Sequence, residues 1–142
     1  MNAPILQSVV ALAAWTMVVW LWMYATRLPA MKKANVHAAS LGRGNTGRTL
    51  DDALPAQVQW KAHNYNHLHE QPTVFYAVAL LLAVIGQGGD LNALLGWAYA
   101  GLRVLHSLVQ GTVNVVPIRF AVFALSSIVL AVLIARAAIA VF

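Results

Sequence analysis

The residues from Ile5 to Tyr24 run for about 20 positions without one charged side chain, the length at which an apolar helix crosses the hydrocarbon core of a bilayer. Such a run is either a retained helix or a leader, and its flanks separate the two. Met1, Asn2, Ala3 and Pro4 supply no Lys or Arg before it, and the basic residues Arg27, Lys32 and Lys33 follow it instead. The run is therefore read as a retained helix. Composition agrees: 61% of side chains are hydrophobic and 9% charged, against about 25% charged in soluble domains, and the mean hydropathy is +0.70. A multi-pass integral membrane protein is expected, with the lipid bilayer as its first partner.

Two classes of chemistry fall away at once. The chain has no cysteine, so it offers no disulfide frame, no thiolate metal site and no thiol nucleophile of its own. Any thiol must arrive with a bound molecule. The net charge of +5 would point to nucleic acid in a soluble protein. Here six of the nine basic residues (Arg27, Lys32, Lys33, Arg43, Arg48 and Lys61) cluster between the first two apolar runs, the footprint of a cytoplasmic loop. Nucleic acid is not expected as a partner.

Four helices are read along the chain, about 5–27, 56–85, 91–110 and 117–140, with a cytoplasmic loop about 28–55. The fold class is all-α, an integral membrane four-helix bundle in one domain, 1–142. Pro29 is expected to end the first helix. In the loop, Gly42, Gly44 and Gly47 match a dinucleotide-binding spacing, but neither the strand before nor the helix after that such a turn needs is indicated. A solvated loop is the reading. Pro72 is expected to bend the second helix beside Glu70 by leaving the Leu68 carbonyl without a donor. Asp90 is placed to cap the third helix, and Pro117 suits the first turn of the fourth. Arg136, 17 residues after Arg119, is expected to snorkel at the outer interface. Both termini then lie outside the cytoplasm.

The unusual stretch is Lys61 to Tyr76, where polar and ionisable side chains abut the apolar run from Val74 to Ile85. Asn66 and Glu70, four apart, share a helix face, with His63 and His67 beside it. A carboxylate at the edge of an apolar helix is costly unless something answers it, and Arg103 and Arg119 are the candidate answers. In the third helix Tyr99, Arg103, His106, Ser107 and Gln110 follow spacings of three and four and form one stripe. Each residue also has a plain reading: Glu70 with Arg103 as a register-fixing ion pair, Arg119 as an interfacial anchor, His106 as a donor to a carbonyl. Together they would make a polar site for a small, multiply charged guest. His63, His67 and Glu70 invite a metal reading as well, but the spacing is common and no further ligand is fixed. No metal is assigned.

These residues, Asn66-x-x-x-Glu70-x-Pro72-x-x-Phe75, Arg103-Val-Leu-His106 and Pro117-Ile-Arg119, set on four apolar helices, resemble the MAPEG family, the membrane-associated proteins in eicosanoid and glutathione metabolism. The resemblance covers nearly the whole chain outside the loop. It implies a homotrimer in a bacterial inner membrane, with glutathione as co-substrate between neighbouring subunits near the cytoplasmic side. It further implies that Asn66, Glu70 and Arg103 contact the tripeptide, that His106 supports them, and that Arg119 lies near the sulfur as the catalytic thiolate stabiliser. A hydrophobic small molecule would be the second substrate. The chain departs from the family pattern at Lys61, where an Arg is usual, at His67, where an Asn is usual, at Gln110, and in the short Glu70-to-Pro72 separation. The two leading readings are a glutathione-dependent membrane enzyme, for thiol transfer to lipophilic electrophiles or lipid peroxide reduction, and a non-catalytic trimeric membrane protein whose polar cluster serves assembly or binds another anionic lipid or metabolite; a metal or proton conductor using His63, His67 and Glu70 stands behind them.

Overall fold

A helix satisfies its own backbone hydrogen bonds where no water can, and the computed structural model, which describes residues 3–142, is helical through all the apolar runs, with no strand among the described residues. The order is α1 (Ile5–Lys33), α2 (Ala56–His67), α3 (Gln71–Val84), α4 (Asp90–Gly111) and α5 (Val116–Val141). The Ile5 N–H donates to the Gly88 carbonyl at 2.9 Å, which ties the start of α1 to the α3–α4 turn. At the other end Trp22 of α1 meets Gly111, the last residue of α4. α1 and α4 therefore run in the same direction, with α2–α3 and α5 returning. α1 and α5 are each long and apolar enough to cross a membrane, whereas α3 has 14 residues and α4 carries a buried polar stripe.

The core forms where these rods meet. Leu12 and Val19 of α1, Phe75 and Leu82 of α3, and Tyr99 of α4 are fully buried, as is Leu133 of α5. The Phe75 and Tyr99 rings stack with centroids 4.5 Å apart. Gly96 allows a close approach of α4 to α1, since a Cβ there would lie 2.7 Å from Ser8 Oγ and 2.9 Å from Ile5 Cγ1. Outside the core, Leu21, Leu94, Ile128 and Ile139 lie exposed. An apolar exterior this extensive suits hydrocarbon surroundings and not water.

Four expectations are corrected. α1 continues past Pro29 to Lys33. Pro29 and Ala25 are both exposed, so the carbonyl that Pro29 leaves without a donor faces outward, and the fixed proline φ fits the helix. The segment 56–85 is not one bent helix, because α2 stops at His67 and α3 begins at Gln71. Gly89 takes the cap position of α4, while Asp90 is its first residue at φ 45. The loop is more than a solvated connection: short 3₁₀ turns span Ala38–Ser40 and Gly47–Leu50, Leu50 and Leu54 are buried, and Gln59 Nε2 donates to the Leu50 carbonyl at 2.7 Å. Arg136, expected near the outer interface, is half-buried, with its Nε donating to Oδ1 of the buried Asn92.

Candidate functional site

The site begins at the break between α2 and α3. Pro72 has no N–H for the Leu68 carbonyl, but it is well suited to the first turn of a new helix. The chain restarts accordingly, with Glu70 at φ −88, ψ −100 as the residue before α3. The interruption leaves main-chain carbonyls without helical donors, and Arg103 takes one of them. Its guanidinium is fully buried and donates from Nη2 to the His67 carbonyl at 3.2 Å. The Phe123 ring centroid lies 5.6 Å from the guanidinium carbon. Nε and Nη1 of Arg103 have no hydrogen-bond partner among the described residues.

The same turn aims the side chains of His67 and Glu70 at each other, Nδ1 to Oε2, at 2.6 Å. The His67 ring lies 4.9 Å from the His106 ring and 5.5 Å from that of Phe123. This pair stands between two concavities. A cleft of about 770 Å³ opens between the end of α1, the loop and α2, with Arg27, Arg48, Asp51, His63, Asn66 and Glu70 in its wall. A smaller hollow of about 200 Å³ is walled by His67, His106, Val116, Arg119, Phe120 and Phe123. Arg119 Nη1 donates to Asn114 Oδ1 at 2.6 Å, a contact between the start of α5 and the preceding turn.

The expected single constellation is thus divided within one chain. Asn66 and Glu70 stand in the cleft, His106 and Arg119 in the hollow, and Arg103 is buried, lining neither. Glu70 and Arg103 do not form the ion pair considered from sequence, because the helix break turns Glu70 outward to His67 and an exposed surface. The stripe on α4 is buried, with Tyr99, Arg103, His106, Ser107 and Gln110 all facing the bundle. His63, His67 and Glu70 do not converge: His63 Nε2 lies 3.6 Å from Asp51 Oδ2, and among the described residues no three such groups are placed to share a metal ion.

Four residues of the site escaped the sequence reading. Arg27 and Arg48 counted there only as loop charge, yet Arg27 Nη2 donates to the Gly47 carbonyl at 3.2 Å and both line the cleft. Asn64, buried, donates to the Ser107 carbonyl at 3.0 Å and locks α2 to α4. Gln71 donates to Ser127 Oγ at 2.8 Å and accepts from Tyr99 OH at 3.3 Å, joining α3 to both α5 and α4. For Asn64 and Gln71 the one available signal was an amide beside an apolar helix, which must find partners when buried. For the arginines it was only proximity in sequence to turn formers.

No curated protein and no solved structure matches this chain. The sequence model of the MAPEG family matches residues 5–139. With that match over nearly its whole length, and with two membrane-length helices in an all-helical fold, this integral membrane protein belongs to the MAPEG family.

Proposed function

We propose that the protein is a glutathione-dependent membrane enzyme, transferring the thiol to lipophilic electrophiles or reducing lipid peroxides. The observation that carries this reading is the cleft, where Arg27 and Arg48 share about 770 Å³ with Glu70, Asp51 and Asn66. A tripeptide with two carboxylates and one ammonium needs that mixture of charges: guanidiniums for its carboxylates and a carboxylate for its amine. Family membership supports the choice of guest, since the family includes glutathione-dependent enzymes alongside non-catalytic members.

Asn66 and Glu70 then bind the tripeptide from the cleft wall, and Arg103 with His106 holds the turn behind them. Arg119 stabilises the thiolate, since a neighbouring guanidinium favours the ionised sulfur, which is the nucleophile. Within one chain Arg119 lies outside the cleft. A homotrimer, implied by the resemblance, would bring the hollow of one copy against the cleft of the next. The basic loop would face the cytoplasm from a bacterial inner membrane, with both termini outside. In thiol transfer the sulfur forms a bond to carbon and the leaving group departs with its electron pair. In peroxide reduction two thiols give two electrons and two protons, yielding a disulfide, an alcohol and water.

The test is glutathione binding by calorimetry and turnover of a chromogenic electrophile, using the full chain in lipid nanodiscs. Arg119→Ala is expected to bind glutathione while losing about 10²–10³ in kcat, the scale for removing one charge-stabilising donor. Absence of both binding and turnover in the unaltered protein refutes the reading. The second reading, a non-catalytic membrane protein, is favoured by the Arg119 contact to Asn114, which already occupies one of its donors.

A further inference from the structure

We propose that His67, oriented by Glu70, is a general base set between the two concavities, its Nε2 taking the proton of a thiol held beside Arg119. This rests on the glutathione reading and adds to it the group that removes the thiol proton. Arg119 can stabilise a thiolate but, always protonated, cannot make one. Besides His67 and His106, the hollow around it is walled by the apolar Val116, Phe120 and Phe123, so a proton released there needs a carrier.

The geometry supplies one. An ionised carboxylate only accepts, so the 2.6 Å contact requires Nδ1 of His67 to carry the hydrogen, and the lone pair of the neutral ring then sits on Nε2. That nitrogen makes no hydrogen bond to the described residues, and the ring lines the hollow with Arg119. A base oriented by a carboxylate behind it is the arrangement that activates thiol and hydroxyl nucleophiles. Glu70 meanwhile opens into the other concavity, its side chain 64% exposed. The charged and titratable groups facing His67 are Glu70 from the turn, Arg103 and His106 from α4, and Arg119 from α5.

The step balances. The S–H bond breaks, its electron pair stays on the sulfur beside Arg119, and the proton goes to Nε2. The Nδ1 proton stays on the ring against Glu70 Oε2, and when the sulfur bonds to the electrophile the leaving group departs with its electron pair and takes the Nε2 proton, which restores the neutral ring with its lone pair on Nε2.

The experiment compares the unaltered protein with His67→Asn, which keeps a donor for Glu70 but has no base, and with His67→Gln as a second variant should the first fail to fold. Glutathione affinity is measured by calorimetry, bound thiolate by its ultraviolet absorbance, and kcat across pH. Expected are retained binding, loss of the thiolate signal at neutral pH, a fall of about 10²–10⁴ in kcat, and partial recovery on adding imidazole. A purely structural role for His67 would not respond to imidazole. If the variants bind glutathione and keep the thiolate signal and pH profile, the general base is wrong and the functional reading survives. If the unaltered protein binds no glutathione, both fall.

Discussion

Replacing Arg103 by Met tests whether this buried guanidinium is held for stability or retained at a cost. In the structure it is fully buried, with one hydrogen bond to the His67 carbonyl, the Phe123 ring beside it, and two N–H-bearing nitrogens without acceptors among the described residues. Arg103→Met gives up a charge-assisted hydrogen bond of about 1.5–3 kcal/mol and a cation–π contact of about 0.5–2 kcal/mol. Against this, each buried unmet donor costs about 1–3 kcal/mol, so removing two recovers about 2–6 kcal/mol. The Met side chain fills much of the stem volume with no polar atom left over. The opposing sums nearly cancel, and Arg103→Met should unfold within about 1 kcal/mol of the unaltered protein. Had Arg103 been half of a buried ion pair, its removal would cost about 3–5 kcal/mol. Unfolding in mixed micelles of rising dodecyl sulfate fraction, followed through the five tryptophans, measures the difference. A loss above about 3 kcal/mol would refute the reasoning.

Three further outcomes follow from the geometry. Gly111→Ala places a Cβ 2.7 Å from Trp22 Cζ3 and 3.3 Å from Asn64 Nδ2; it should cost about 1–3 kcal/mol in the same unfolding assay and shift the tryptophan emission. Pro72→Ala restores a donor for the Leu68 carbonyl, so α2 and α3 should join across residues 68–70, with slower amide exchange there. Asn92→Leu removes the acceptor for Arg136 Nε, and the half-buried guanidinium left behind should lower stability by about 1–3 kcal/mol in that assay.

The long-range features of the fold were readable because they depend on periodicity. The stripe of Tyr99, Arg103, His106, Ser107 and Gln110 follows from spacings of three and four, and burial of that face is its direct consequence. Pro72 was correctly marked as the point of disturbance, but proline chemistry alone does not say whether a helix bends or stops. That depends on what meets the chain at the break, where the His67 carbonyl accepts from the Glu70 N–H and from a guanidinium 36 residues away in sequence. The division of the site into cleft and hollow was hidden for the same reason. A helical face places Glu70 beside both Asn66 and His67, but it does not show that the helix ends there, so that Arg103 meets the His67 carbonyl and not the Glu70 carboxylate. Arg27 and Arg48 were invisible as site residues because their position depends on a loop fold held by Leu50, Leu54 and Gln59, and irregular backbone has no period to read.

The way Arg27 is secured has an evolutionary corollary. It grips the main-chain oxygen of Gly47, and Gln59 likewise holds the main-chain oxygen of Leu50. Every residue type offers that same oxygen. Lineages can therefore rewrite much of the segment between α1 and α2 while keeping its path, provided that Arg48 and Asp51, whose side chains line the cleft, are kept.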